Sequence, residues 1–251
     1  MDQLLFLGNY EPKEWYSGWK GLISMRQATA VSSNLPHVKG LSTIGVNTGV
    51  EFLQKMGFKD VTGNEGLALA LGGFTNGASI LQMAAGYAMI ANDGVYIEPT
   101  FYTKVEDSDG NVYLEPKSVE ERSVRMMSAS NAYIMKNMLQ SVLQSQYQGT
   151  ATYATISGMD VAAKTGTTND DADRWLCGFT NYYAAACWFG YNEKETIIPS
   201  TARTAGGIWT AVMREIHKDL EPSKFTVPDD IVTVTICKDS GMTASEKCTN
   251  T

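Results

Sequence analysis

Apolar side chains recur along this chain at two spacings. Over residues 22–31 they cluster as in a short helix that stops at Ser32-Ser33-Asn34. Leu35, Val38, Leu41 and Ile44 follow at intervals of three, with Pro36 in a first turn where its missing N–H costs nothing. Val50, Leu53 and Met56 predict a third helix, capped by Asn47 and stopped by Gly57. The glycine-rich stretch 71–77 reads as a loop, and a helix over 79–92 presents Ile80, Met83, Ala84, Tyr87 and Ile90 before Asp93-Gly94 ends it. Ser128 caps a helix over 129–144 with Ile134, Met138 and Val142 inward, and Ile208, Val212, Ile216 and Leu220 form an apolar stripe along 206–220.

The second spacing belongs to strands. Residues 101–105 and 112–114 flank a turn at 107–110 and predict a hairpin. Residues 161–191 hold three apolar or aromatic runs, VAAKTG, RWLCGF and YAAACWFGY, separated by turn residues, which predict three adjacent antiparallel strands. From Pro228 the run IVTVTI is a strand-like extension. Helices first, a strand meander later and one more helix predict an α+β domain, with helices packed on an antiparallel sheet.

Composition narrows the function classes. Of 251 residues, 43% are hydrophobic and 19% charged, which excludes a disordered chain. Twenty Lys and Arg against 27 Asp and Glu give a net charge of −7 without a basic cluster, so no nucleic acid is expected as a partner. The longest apolar runs fall short of the roughly 18–20 residues that cross a bilayer, and the N-terminus lacks the basic start of a signal peptide. Four cysteines are too few for a disulfide scaffold. Cys177 and Cys187 read as buried thiols, while Cys237 and Cys248 form a tail pair that is either reduced or bonded. His37 and His217 stand far apart, each on a predicted helix, as solvated or capping residues, and neither a metal nor a cofactor is expected. Asp107-Ser108-Asp109-Gly110-Asn111 is a hairpin turn rather than a calcium loop, and Asp170-Asp171-x-Asp173 a solvated loop.

Two short motifs carry chemistry. Lys164-Thr165-Gly166-Thr167-Thr168 closes a predicted strand. There Lys164 can place positive charge at a cleft, Thr165 and Thr167 can give hydroxyls to a carboxylate, and Gly166 can let a substrate backbone pair along the strand edge. Ser32-x-Asn34 sits at a helix junction, where capping alone would explain both residues. S-x-x-K, S-D-N and K-T-G form the signature of serine β-lactamases and penicillin-binding proteins. The stretch 70–99, Gly149-Thr150-Ala151, residues 161–168, Asp173-Arg174-Trp175 through Thr180, the helix around Trp209 and Met213, and the Cys237…Cys248 ending together resemble, in order, the transpeptidase domain of class A penicillin-binding proteins.

The resemblance implies a β-lactamase/transpeptidase-like fold over 1–251, opening before the S-x-N helix and lacking the N-terminal part of the fold, with an extension at about 228–251. It implies a serine that attacks the penultimate D-Ala of a stem peptide ending in D-Ala-D-Ala, an acyl-enzyme that an amine resolves, β-lactams as mimics, and an extracytoplasmic location. It makes Ser32, Asn34 and Lys164 catalytic, and Thr165, Gly166, Thr167 and Thr168 substrate-binding, with the Thr167 N–H as one oxyanion donor. The family's nucleophile lies in S-x-x-K, well upstream. The one upstream match, Ser17-Gly18-Trp19-Lys20, lies fifteen residues before Ser32 with no helical pattern, and is rejected. The chain alone is therefore expected to be inactive, marginally stable or self-associating. The alternatives are a wall-peptide binder without chemistry and a D,D-carboxypeptidase or β-lactamase-like hydrolase.

Overall fold

The computed structural model describes residues 10–198, 203–237, 240–246 and 248; the N-terminal stretch read above as lacking the basic start of a signal peptide lies outside them over residues 1–9. Three helices come first, α1 (Met25–Val31), α2 (Asn34–Ile44) and α3 (Val46–Lys55), then a 3-10 turn over Leu67–Leu71 and α4 (Ile80–Ala91). Four short strands follow, β1 (Val95–Ile97), β2 (Val105–Glu106), β3 (Val112–Leu114) and β4 (Ser123–Arg125), then α5 (Ala129–Gln140). The last elements are β5 (Ala162–Thr167), β6 (Asp173–Phe179), β7 (Ala184–Gly190) and α6 (Thr204–His217).

The antiparallel meander β5-β6-β7 is the centre of the molecule. Side-chain alternation gives it two apolar faces. Ala162 and Phe179 pack with Leu139 of α5, while Ala163 and Leu176 pack with Trp209 and Met213 of α6. A third core gathers Val50, Phe58, Ala85, Met89 and Tyr96 around α3, α4 and β1. Two glycines let the layers close. A Cβ on Gly178 would come within 2.6 Å of Ala163 Cβ on β5, and one on Gly206 would strike the Tyr153 hydroxyl.

The meander and most helices stand where the periodicities put them, with some differences. The α3 helix begins at Val46 with Gly45 as its cap, not Asn47. Strands β1 and β4, which pair Val95–Ile97 with Ser123–Arg125, carry too few residues to leave a pattern. No strand forms over 231–236; a single bridge joins Ile236 to Thr243. Val142, just past α5, is buried as expected, but Ile134 is exposed, and α5 itself buries Ala132, Lys136 and Leu139. On α6 the stripe of Ile208, Val212 and Ile216 is about half exposed, and the face against the sheet is Ala205, Gly206, Trp209, Thr210, Met213 and His217. Small and polar residues can face a core when their hydrogen bonds are met. The Trp209 indole N–H donates to the Ala185 carbonyl, Thr210 donates to the Gly206 carbonyl, and His217 is bonded to Thr180 Oγ1 and the Met213 carbonyl. His217 is thus a satisfied core histidine rather than a solvated one.

Cys177 and Cys187 are both unbonded. Cys187 pairs with Leu176, and neighbours on a strand point to opposite faces, so the two thiols leave opposite sides of the sheet. Burial pushes the Cys177 thiol up to about 12.

Candidate active site

Helix α1 ends at Ser32, whose backbone is left-handed (φ 57°, ψ 43°) and whose N–H closes on the carbonyls of Ala28 and Thr29. That position favours Gly or Asn, and a side chain there costs about 1 kcal/mol. The conformation turns the Ser32 hydroxyl toward β5. Lys164 Nζ donates to Ser32 Oγ at 2.8 Å and to the Thr165 carbonyl at 2.9 Å, joining positions 132 residues apart. Since Ser32 Oγ accepts from the lysine, its own proton can point into the adjacent space. Burial of the ammonium lowers the Lys164 pKa to about 8, within reach of neutral pH.

Strand β5 pairs on one side only, with β6, so among the described residues its other edge carries no strand. Along that edge runs a cleft of about 680 Å³, lined on one wall by Ser32, Asn34 and Trp15, and on the other by Thr165, Gly166, Thr167 and Thr168. Thr150, Tyr153, Asp170, Asp171, Arg174, Trp175, Arg203 and the first residues of α6 complete it. Lys164 does not line the cleft; it reaches it through Ser32.

The structure therefore brings Ser32, Asn34 and Lys164 together with Thr165, Gly166, Thr167 and Thr168, with three differences in detail. Thr165 Oγ1 shares a 2.7 Å hydrogen bond with Thr150 Oγ1, a partner the motif did not indicate. The Thr168 hydroxyl donates to Asp173 Oδ2 and accepts from the Asp173 N–H, so it ties β5 to β6 and is occupied. A Cβ on Gly166 would come within 3.1 Å of Trp175 Cβ, so this glycine serves the close approach of β5 and β6 as well as leaving the edge open. The acidic loop is committed too. Asp171 pairs with Arg174, Asp173 accepts from the Trp188 indole, and Asp170 pairs with Lys194.

Residues outside the motifs hold the Ser32–Asn34 turn. His37 is bonded to the Ser33 carbonyl and to Thr29 Oγ1, and its pKa is lowered by burial, with the Ser33 bond opposing and the Lys164 charge adding to the fall. Across the cleft, Arg203 lies over the Tyr153 ring at 4.7 Å. Neither His37 nor Tyr153 stands in a pattern that betrays its place in sequence; both are defined by contacts between distant segments.

The chain also has measurable kinship. A family model described as the penicillin binding protein transpeptidase domain matches residues 2–198. Penicillin-binding protein 1A of Clostridium perfringens is 32% identical over 246 residues, which cover 95% of this chain and 29% of that protein. Penicillin-binding protein 1F of Bacillus subtilis is 38% identical over 200 residues, covering 77% of this chain and 27% of that protein. The chain thus spans less than a third of the length of these curated relatives. Among solved structures, penicillin-binding protein 1A from Haemophilus influenzae superposes with a TM-score of 0.79 at 22% identity, covering 99% of this chain and 42% of that one. The PonA1 protein from Mycobacterium tuberculosis, solved in complex with penicillin V, gives 0.70 at 20% identity, covering 91% and 65%. At such identities the superpositions speak for the α+β fold, and the family match speaks for descent. With the S-x-N turn and the K-T-G edge facing one cleft, the chain belongs to the penicillin-binding protein transpeptidase domain family.

Proposed function

We propose that this chain forms the substrate cleft of a peptidoglycan D,D-transpeptidase, at residues 1–251 of a single domain with an extension from about 228. The observation that carries the reading is the 2.8 Å bond from Lys164 Nζ to Ser32 Oγ, beside an open strand edge lined with threonine hydroxyls. In this reading the terminal carboxylate of a stem peptide ending in D-Ala-D-Ala lies against Thr165 and Thr167, and its backbone runs along β5. A serine oxygen bonds to the penultimate D-Ala carbonyl carbon, the C–N bond to the last D-Ala breaks, and the serine proton passes by way of Ser32 and the lysines to the leaving amine. An amine of a second stem peptide then attacks the ester, its proton returns along the same route, and the serine is regenerated.

Asn34 orients the substrate amide, Lys164 keeps the cleft positive, and the Thr167 N–H stabilises the tetrahedral oxyanion. Thr168 supports the site by tying down the strand end. β-Lactams would occupy the same cleft, and the substrate's location puts the domain on the extracytoplasmic face of the cell membrane. Among the described residues no helix is long and apolar enough to cross a membrane.

The nucleophile is not supplied by Ser17 in this reading. Ser17 and Lys20 are exposed on an irregular segment, Lys20 sits over the Tyr16 ring at 4.8 Å, and Ser17 is not among the residues lining the cleft. This favours wall-peptide binding without acylation by the chain on its own, and it disfavours the hydrolase alternative for the same reason. The experiment is intact-mass analysis after incubation with benzylpenicillin. The chain is expected to keep its mass; a stoichiometric penicilloyl adduct at any serine would overturn the assignment of the nucleophile to a residue outside this chain.

A further inference from the structure

The N-terminus of α2 is capped from outside its own sequence neighbourhood. Ser33, at the N-cap position, makes no side-chain bond to its own helix. Instead the Glu14 carboxylate takes its place. Its Oε1 accepts from the Asn34 and Leu35 N–H groups at 2.8 Å and from Ser33 Oγ at 2.9 Å, and its Oε2 accepts from the Asn34 N–H at 2.8 Å. The neighbours of Glu14 grip the same turn. The Lys13 carbonyl accepts from Asn34 Nδ2 at 2.7 Å, the Trp15 indole N–H is shared between the Val31 and Ser32 carbonyls at 3.1 Å, and the Tyr16 hydroxyl donates to Ser33 Oγ at 2.9 Å. Residues 13–16 are thus a strap, and each bond in it ends on the turn that carries Ser32 and Asn34.

We propose that Glu14 is a positioning residue for the acyl-transfer site, fixing the Ser32–Asn34 turn so that the Ser32 hydroxyl meets Lys164 and the Asn34 side chain faces the cleft. The proposal rests on the transpeptidase reading for the purpose of the turn, but not for its geometry. A carboxylate suits the task for two reasons. It offers enough lone pairs for three donors at once, and its charge is stabilised by the helix N-terminus. Ser32 is strained and Asn34 begins the next helix, so neither fixes the turn unaided; the strap over-determines both.

The test reads Lys164 rather than the helix. In the whole chain, the Lys164 titration midpoint is followed by NMR of labelled lysine side chains, assigned with Lys164→Arg, in the wild type, Glu14→Gln and Glu14→Asp. Two effects of Glu14→Gln have opposite signs. Losing a nearby negative charge alone lowers a lysine pKa, whereas freeing the turn admits water to the ammonium and raises it. The expected result is a rise from about 8 toward the ordinary 10.5, with Glu14→Asp recovering at least half of the shift. A midpoint that stays or falls in Glu14→Gln shows a helix cap and nothing more, and overturns the proposal.

Should Glu14→Gln fail to fold by circular dichroism, Trp15→Phe decides on the same readout, because it removes the donor to Val31 and Ser32 and leaves the cap in place. A rise in its midpoint supports the strap and an unmoved midpoint overturns it. A second arm measures the affinity for an N-acyl-D-Ala-D-Ala peptide, expected to fall about tenfold in Glu14→Gln and to return in Glu14→Asp. No binding by the wild type would defeat the transpeptidase reading while leaving the Lys164 comparison valid.

Discussion

Lys164 shows how one buried amine shapes the behaviour of the chain. Its folded pKa, about 8, lies below its ordinary 10.5 because burial disfavours the charged form. Below pH 8 both folded and unfolded chains hold the proton, and the cost of burying the ammonium is fully present. Between pH 8 and 10.5 the folded chain has released it and the unfolded chain has not, so stability rises with pH, by about 3 kcal/mol over the window. Burial raises Cys177 and Tyr87, which act with the opposite sign above about pH 9, so the quantity to read is the difference from Lys164→Met. Urea denaturation at pH 7.5 and pH 10 should show the wild type gaining roughly that amount relative to Lys164→Met. Equal stability changes in the two chains would mean that the ammonium is hydrated. At this scale the motif residues were legible because the family pattern names them. Glu14 was not, and Thr150 was matched only as part of Gly149-Thr150-Ala151, without its bond to Thr165, since a bond spanning twenty residues, or one between two threonine hydroxyls, has no local signature.

Among the elements, β5 transmits errors to the cleft most directly. Gly178 on β6 faces Ala163 on β5, and an added Cβ would meet Ala163 Cβ at 2.6 Å and the Ala162 carbonyl oxygen at 2.7 Å. These are strand atoms that yield only if β5 moves. Gly178→Ala is therefore expected to lower stability by about 1–3 kcal/mol and to weaken peptide binding at the same time, because Lys164, Thr165 and Thr167 ride on the displaced strand. Thermal melting and a binding titration on the same variant check both; an unchanged Tm would show that the sheet absorbs the methyl group. The meander could be read from sequence because strong apolar runs alternate with turns. The face of α6 could not, because Ile208, Val212 and Ile216 offer a cleaner period than the mixed set that is buried. Thr210 and His217 lie inside through hydrogen bonds to the Gly206 carbonyl, Thr180 and the Met213 carbonyl, which no hydropathy pattern encodes.

The exposed stripe matters for the molecule as a whole. Arg214, on one flank of α6, donates to the carbonyls of Tyr153 and Thr155, in the segment that leads into β5. Ile208, Val212 and Ile216 occupy the opposite flank and are about half exposed, and the outer edge of β7 carries no strand among the described residues. The β7 sequence AAACWFG holds no charge and no proline, the usual blocks on edge pairing. An antiparallel pair of such edges is self-complementary, so a second copy of the chain is the occupant that we infer. Analytical ultracentrifugation should find the wild type associated at micromolar concentration and Val212→Lys monomeric with unchanged circular dichroism. A monomeric wild type would show that neither the stripe nor the β7 edge pairs with a second copy.

Whether the cleft receives the terminus of a stem peptide is decided by a single titration. The labelled chain is titrated with an N-acyl-D-Ala-D-Ala peptide while its backbone and threonine methyl signals are followed by NMR. Saturable shifts are expected, concentrated at Ser32, Asn34, Thr165 and Thr167 and lost when the peptide's terminal carboxylate is amidated. Shifts that leave these residues untouched, or that survive amidation unchanged, would contradict that role for the cleft.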